Sequence, residues 1–299
     1  MRYSISDLEQ LSGVQTHTIR IWERRYHALE PLRSAGNTRF YDDQQLRRLL
    51  NIVGLNESGM KISQVCALSD QEMTTLLEKQ LSQSVSNDAH FEYYISQMLR
   101  HGIAYDEQHF DGLITECIAG YGMAKSYKRV IYPLLVRLGL MWRQDHICPA
   151  QEHFMSNILR QKLYKAIDEL PIRSSAANTW LLFLPEDEGH DIGLLFAHYV
   201  LKAAGQKVIF LGSRVPLSSL EDAMKNESIT QLLLFMVRPR PVSEANSYLS
   251  ELGNKFSHAK IRLAGNGKLI KDLKLPANVS WFQSIEEFEH IISTLINAN

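Results

Sequence analysis

Cysteine is scarce in this chain: three among 299 residues, Cys66, Cys117 and Cys148, with no Cys-x-x-Cys pair. That excludes a disulfide-stapled secreted scaffold and a cysteine-ligated zinc module, and it reads as reduced thiols of a cytoplasmic protein. Long apolar runs are missing as well. No stretch reaches the roughly 20 apolar residues that a membrane span requires, and "MRYSISDLEQ" has no signal-peptide core. No membrane partner is expected. Net charge is almost absent, since 32 Lys and Arg face 33 Asp and Glu. No whole-molecule field therefore draws nucleic acid, and any such contact must be local. Catalytic signatures are missing too: there is no P-loop, no complete Gly-x-Gly-x-x-Gly and no Ser-His-Asp or Cys-His pattern, and "GNGK" at 265–268 is too short for a phosphate loop. The expectation is a non-enzyme. What remains is length enough for two or three domains with full-sized cores.

The first seventy residues hold the local charge. "YSISDLEQLSGVQTHTIRIWERRYHAL" carries two short helical patterns split at Ser12-Gly13, with Ser6 and Thr16 as N-cap candidates. That is the plan of a helix-turn-helix, whose second helix enters the major groove with Thr18, Arg20 and Arg24 as its candidate reading face. Trp22 and Tyr26 alternate with the arginines and read as packing residues. "EPLRSAGNTRFYDDQQLRRLL" follows, a short hairpin punctuated by Pro31, Gly36 and Asn37 and then a helix capped by Asp42 or Asp43. A hairpin carrying Arg33, Arg39 and Tyr41 beside a helix-turn-helix is a wing suited to phosphates. Arg47 and Arg48 read as a solvated helix face. Between Arg20 and Tyr41 there are five arginines and two glutamates, the excess that the whole-chain charge hides.

At "TIRIWERRY", "LxPxR" and "NTRFY" residues 1–70 resemble the MerR family of winged-helix transcription regulators. The resemblance implies double-stranded operator DNA as partner, with Arg39 and Tyr41 on phosphates.

Residues 71–170 show no strand alternation. Helical patterns bounded near Asn87-Asp88, Gly102, Gly120-Gly122 and Pro149 predict a four-helix bundle. "QEMTTLLEKQLSQSVSND" has no sustained heptads, so a long dimerising coiled coil is not expected there.

From 175 to 299 strands predicted at 179–184, 207–211, 231–237, 260–264 and 279–282 alternate with helices. That pattern predicts a flavodoxin-like or Rossmann-like parallel sheet, which binds ligands outside the carboxyl ends of its strands. The fold class is therefore multidomain, α and α/β. In "LLFLPEDEGHDIGLLFAHYVLKAAG" His190 follows the first of these strands, with Glu188 two residues before it and Gly193 three after. An imidazole so placed can bind a metal through one nitrogen while a carboxylate holds the other. A glycine at 193 lets a bulky group pass or lets helix and strand approach closely.

Glu-x-His-x-x-Gly resembles the Asp-x-His-x-x-Gly signature of cobalamin-binding domains. The resemblance implies His190 as the lower axial cobalt ligand and Glu188 as its partner. The family's Ser-x-Leu and Gly-Gly elements, which accommodate the nucleotide tail, fall here at "FMV" (Phe235 to Val237) and at Gly265-Asn266. Phe235 stands in place of a small hydroxyl residue. Arg238 and Arg240 in "VRPRP" are suited to a phosphate or carboxylate, or are solvated. Trp142 with Glu152-His153, "W-x9-EH", resembles the element that CarH/LitR-type light-sensing regulators place over the upper face of adenosylcobalamin. Arg143 stands where light-sensing members have a cobalt-capturing histidine, and His146 and His153 lack matching spacing. Taken together the resemblance implies a cytoplasmic DNA-binding repressor that senses adenosylcobalamin and light, as a homo-oligomer, dimer or tetramer. The alternative is the same DNA-binding head with a sensor domain that takes another small ligand or none.

Overall fold

The computed structural model describes residues 3–33, 37, 39–57, 59–80, 87–143, 147–172 and 178–297. They form two compact units, Met1–Ile158 and Leu159–Asn299, with the division inside one helix.

The first unit opens with α1 (Ile5–Ser12) and α2 (Thr16–Tyr26), then β1 (Leu32–Arg33) and β2 (Arg39–Phe40), paired antiparallel, then α3 (Asp43–Glu57) and α4 (Ile62–Cys66). The predicted caps shift. Ser4 rather than Ser6 caps α1, because Ser4 and Asp7 satisfy each other's backbone N–H in a capping box. Gln15 holds the cap position of α2, so Thr16 is its first helical residue. Asp42 caps α3 by accepting the Gln45 N–H at 2.9 Å. Arg48 is not a solvated residue. Its guanidinium reaches Asp70 and the carbonyls of Ala28, Cys66 and Leu68, binding α3 to the segments on either side.

Next come α5 (Asp70–Gln80), α6 (Asn87–Ile103), α7 (Glu107–Ser126), α8 (Tyr132–Arg143) and α9 (Pro149–Asp168). Helices α6 to α9 are the four anticipated, and α5 is an additional one. The Gly120-Gly122 boundary survives as a break rather than an end: Gly122 has φ 76°, ψ 159° inside α7, and a π-helical turn at Tyr127–Ile131 leads into α8. The head packs on the bundle within this unit. Arg137 of α8 pairs with both oxygens of Glu92 at 2.7 and 2.8 Å and donates to the Leu11 carbonyl at 3.4 Å.

The second unit contains β3 (Thr179–Pro185), α10 (Ile192–Ala203), β4 (Lys207–Val215), α11 (Leu217–Asn226), β5 (Gln231–Met236), α12 (Val242–Lys255), β6 (Lys260–Gly265), α13 (Gly267–Ile270), β7 (Val279–Trp281) and α14 (Ile285–Asn297). All five predicted strands appear, parallel, in the order β4-β3-β5-β6-β7. β3 is buried along its whole length, as a central strand covered on both faces must be. One face carries Leu181, Phe183, Leu232 and Leu234 with Leu220 and Leu249 of α11 and α12; the other carries Trp180, Leu182, Leu233 and Phe235 with Leu194, Ala197 and Phe288 of α10 and α14. Because the chain leaves β3 first to one side and then to the other, the strand order reverses between β3 and β5. A crevice opens at such a point, outside the carboxyl ends of the strands.

Candidate DNA-contacting face and candidate ligand site

On the head, helix α2 turns Ile19 into the core and leaves Arg20, Arg24 and Arg25 exposed, with Thr18 half-buried beside them. The Arg24 side chain donates back to the Arg20 carbonyl at 3.4 Å. Arg33 and Arg39 face each other across the hairpin and are exposed; Arg33 holds the Asn37 side chain at 2.5 Å. Tyr41 departs from the expected phosphate contact. It is fully buried, its backbone bridges to Tyr3, and its hydroxyl donates to the Glu23 carboxylate. Burial and the neighbouring Glu23 charge both push its pKa upward. The residue therefore ties the wing to α2 rather than facing solvent.

At the crevice of the sheet, the turn after β3 brings Glu188 inward. Its side chain is completely buried, a costly place for a carboxylate without partners. It has several. The N–H groups of Gly189 and His190 donate to Oε1 at 3.1 Å each, and those of Val237 and Arg238 donate to Oε2 at 2.8 and 2.7 Å. Arg240, itself only 7% exposed, reaches Oε2 at 3.5 Å and Asp187 at 3.0 Å. Burial pushes the Glu188 pKa up, but the hydrogen bonds from His190 and from the Arg238, His190 and Val237 backbone outweigh it and hold it at about 2. His190 Nδ1 lies 2.5 Å from Oε1. An ionised carboxylate can only accept, so Nδ1 carries a proton and donates this bond. The ring is 55% exposed, at the carboxyl end of β3.

Gly193, in the first turn of α10, lies against Phe235 of β5: a Cβ there would stand 3.0 Å from the ring. Gly265, ending β6, has φ 128°, and a Cβ would meet the Met236 carbonyl oxygen at 2.2 Å. The structure gives both glycines a packing reason. Arg214, at the end of β4, carried no motif and was not singled out from sequence; it adopts a left-handed backbone, its N–H reaches the Glu188 carbonyl at 3.3 Å, and its guanidinium lies beside Gly189. Arg238 adds a weaker bond to the Asp187 carbonyl at 3.4 Å.

In the first unit Glu152 and His153 pair at 2.8 Å on α9, with the imidazole 70% exposed. Trp142 and Arg143 belong to the helical span of α8, but their side chains lie outside the described residues, as does His146 entirely. His101, Asp106 and His109 form another cluster of metal-ligating types. Asp106 caps α7 and accepts from Nδ1 of both histidines, at 2.8 Å from each, while Arg100 stands 3.3 Å from the far nitrogen of His101. That is the hydrogen bonding of a helix cap. No described helix is long and apolar enough to cross a membrane.

Comparison with known proteins agrees with this layout. Residues 3–72 match the MerR HTH family regulatory protein model, and residues 94–166 match the B12 binding domain model. The HTH-type transcriptional repressor CarH of Myxococcus xanthus is 33% identical over 224 residues, 74% of each chain. The repressor CarA of the same organism is 27% identical over 253 residues, 84% of this chain and 82% of that one. Among solved structures, the monomethylamine corrinoid protein of Methanosarcina barkeri superposes with a TM-score of 0.52 at 17% identity, over 69% of this chain and 98% of its own, a likeness of fold alone.

Proposed function

The chain belongs to the CarH family of MerR-type transcriptional repressors, and on that premise we propose that it represses transcription by binding double-stranded operator DNA under the control of a corrinoid. The observation that carries the sensing half is the Glu188–His190 pair at the strand-order reversal. Glu188 orients the imidazole through Nδ1 and raises its basicity as a ligand, and His190 would hold the cobalt of a corrinoid. Trp142, Glu152 and His153 of the first unit carry the W-x9-EH element by which the chain resembles the family. An adenosyl corrinoid, when bound, would supply a light-sensitive cobalt–carbon bond. The protein's own part is to hold the ring system and to present a fixed ligand nitrogen.

On the DNA side, Arg20 and Arg24 read base edges from α2 while Arg33 and Arg39 grip phosphates from the hairpin. A homo-oligomer presents two such heads to a symmetric operator. Any ligand that binds one oligomer or head arrangement better than another shifts operator affinity by that difference.

The test is to mix the purified chain, separately, with adenosylcobalamin and with adenosylcobinamide in darkness, remove unbound ligand, and record absorption, oligomer mass and operator binding before and after green light. A retained corrin spectrum that changes on illumination, with oligomer mass and operator affinity, is expected. His190→Ala is expected to fold, because the ring is more than half exposed, and to lose the histidine-ligated spectrum. A second reading, a sensor domain with another ligand or none, draws on Phe235 beside Gly193. A protein that stays colourless with both corrinoids favours it.

A further inference from the structure

The space beneath the His190 turn is filled by the protein itself. Phe235 points from β5 to the side of the sheet covered by α10 and α14, with its ring against Gly193. From there an aromatic ladder runs inward. Phe235 meets Phe282 edge to face at 6.4 Å between centroids, Phe282 stacks on Phe288 at 5.0 Å, and Phe288 meets Trp180 edge to face at 6.1 Å. Phe282, Phe288 and Trp180 are all buried. Aromatic contacts of this geometry stabilise beyond their buried area, so the half-buried Phe235 and the three buried rings pack as one cluster.

The neighbouring positions are equally committed. The Gly265 Cα is held against the Met236 backbone, the Asn266 N–H donates to the Met236 carbonyl at 2.7 Å, and the Asn266 side chain caps α13 by accepting the Lys268 N–H at 3.1 Å. On the opposite side of the turn, Glu188 is locked to the β5 end.

The chemistry of a complete cobalamin makes this matter. If histidine takes the lower face of cobalt, the displaced nucleotide base, with its ribose and phosphate, must be housed on the histidine's side of the corrin ring. The axial nitrogen of this chain fits a corrinoid; the filled slot does not fit that tail. Resting on the corrinoid reading above, we infer that the Phe235–Phe282–Phe288 ladder makes His190 a site for corrinoids without the nucleotide tail, the cobinamide class.

The discriminating experiment uses the full chain in darkness and two probes, adenosylcobinamide and adenosylcobalamin, with affinities from equilibrium titration. Cobinamide is expected to bind at least about tenfold more tightly than cobalamin, since housing the tail would force apart a packed core. Phe235→Ser is expected to raise cobalamin affinity by about tenfold while cobinamide affinity stays within about threefold, which also shows that the variant is folded. Spin resonance of the photoreduced cobalt in protein carrying 15N-histidine reports whether His190 is the lower ligand in each complex. Cobalamin bound by wild type as tightly as cobinamide, with histidine on cobalt, would overturn this inference and leave the corrinoid reading intact. Failure of both probes to bind wild type and variant would overturn both.

Discussion

Glu188 and Arg238 lie fifty residues apart in the chain, yet the Arg238 N–H donates to the Glu188 carboxylate at 2.7 Å, joining the turn after β3 to the turn after β5. One buried side chain thus spans the crevice where the strand order reverses. An aspartate, the usual residue in the resembling motif, is one methylene shorter. The longer arm reaches the β5 end and orients His190 at the same time.

This bond network predicts a pH signature. The folded carboxyl titrates at about 2, below the ordinary value of 4.5, because the hydrogen bonds favour the ionised form. Its contribution to stability is therefore full above the unfolded pKa and is lost as pH falls from there through the folded pKa. Glu188→Gln is expected to melt well below wild type at neutral pH, and the gap is expected to close between about pH 5 and pH 2. Thermal melts across that range check it, and a gap independent of pH would refute the account.

The wing separates two roles that resemblance had joined. Arg39 is exposed, so Arg39→Ala is expected to weaken operator and random DNA alike and to lower the salt slope by about one unit. DNA titrations at several salt concentrations measure this directly.

Tyr41→Phe tests the other role. Removing the hydroxyl strands the Glu23 carboxylate and is expected to cost about 1–3 kcal/mol of stability. The salt slope of DNA binding should stay at the wild-type value. A slope lowered as in Arg39→Ala, with stability unchanged, would return Tyr41 to the phosphates.

Gly265→Ala combines a disfavoured backbone with a Cβ 2.2 Å from the Met236 oxygen. Strain at such a position costs at least about 1–3 kcal/mol, so a fall in Tm of roughly 5–10 °C is expected in the absence of any ligand. An unchanged melt would mean that the β5 and β6 ends part readily and that the glycine serves a ligand instead.

Local sequence determined a great deal here. Period-two and period-3.6 patterns are written into consecutive residues, so all five strands of the sheet, the paired helices of the head and the four bundle helices were legible, and His190 could be placed just after the first strand of the sheet. The cluster of arginines at 20, 24, 33 and 39 was equally plain, because helix and hairpin spacing puts them on exposed positions. Tertiary structure decided what such patterns cannot carry. Whether Tyr41 met solvent or Glu23 depended on how α2 packs behind the wing. Arg48 became a clamp only when α3 lay against residues 66–70. Phe235 could be seen in sequence as a bulky intruder, but only the packing of β5 under Gly193 and beside Phe282 joined it to the aromatic core. Long-range contacts of this kind depend on which element ends meet in space, and that is set by the whole core rather than by any one segment.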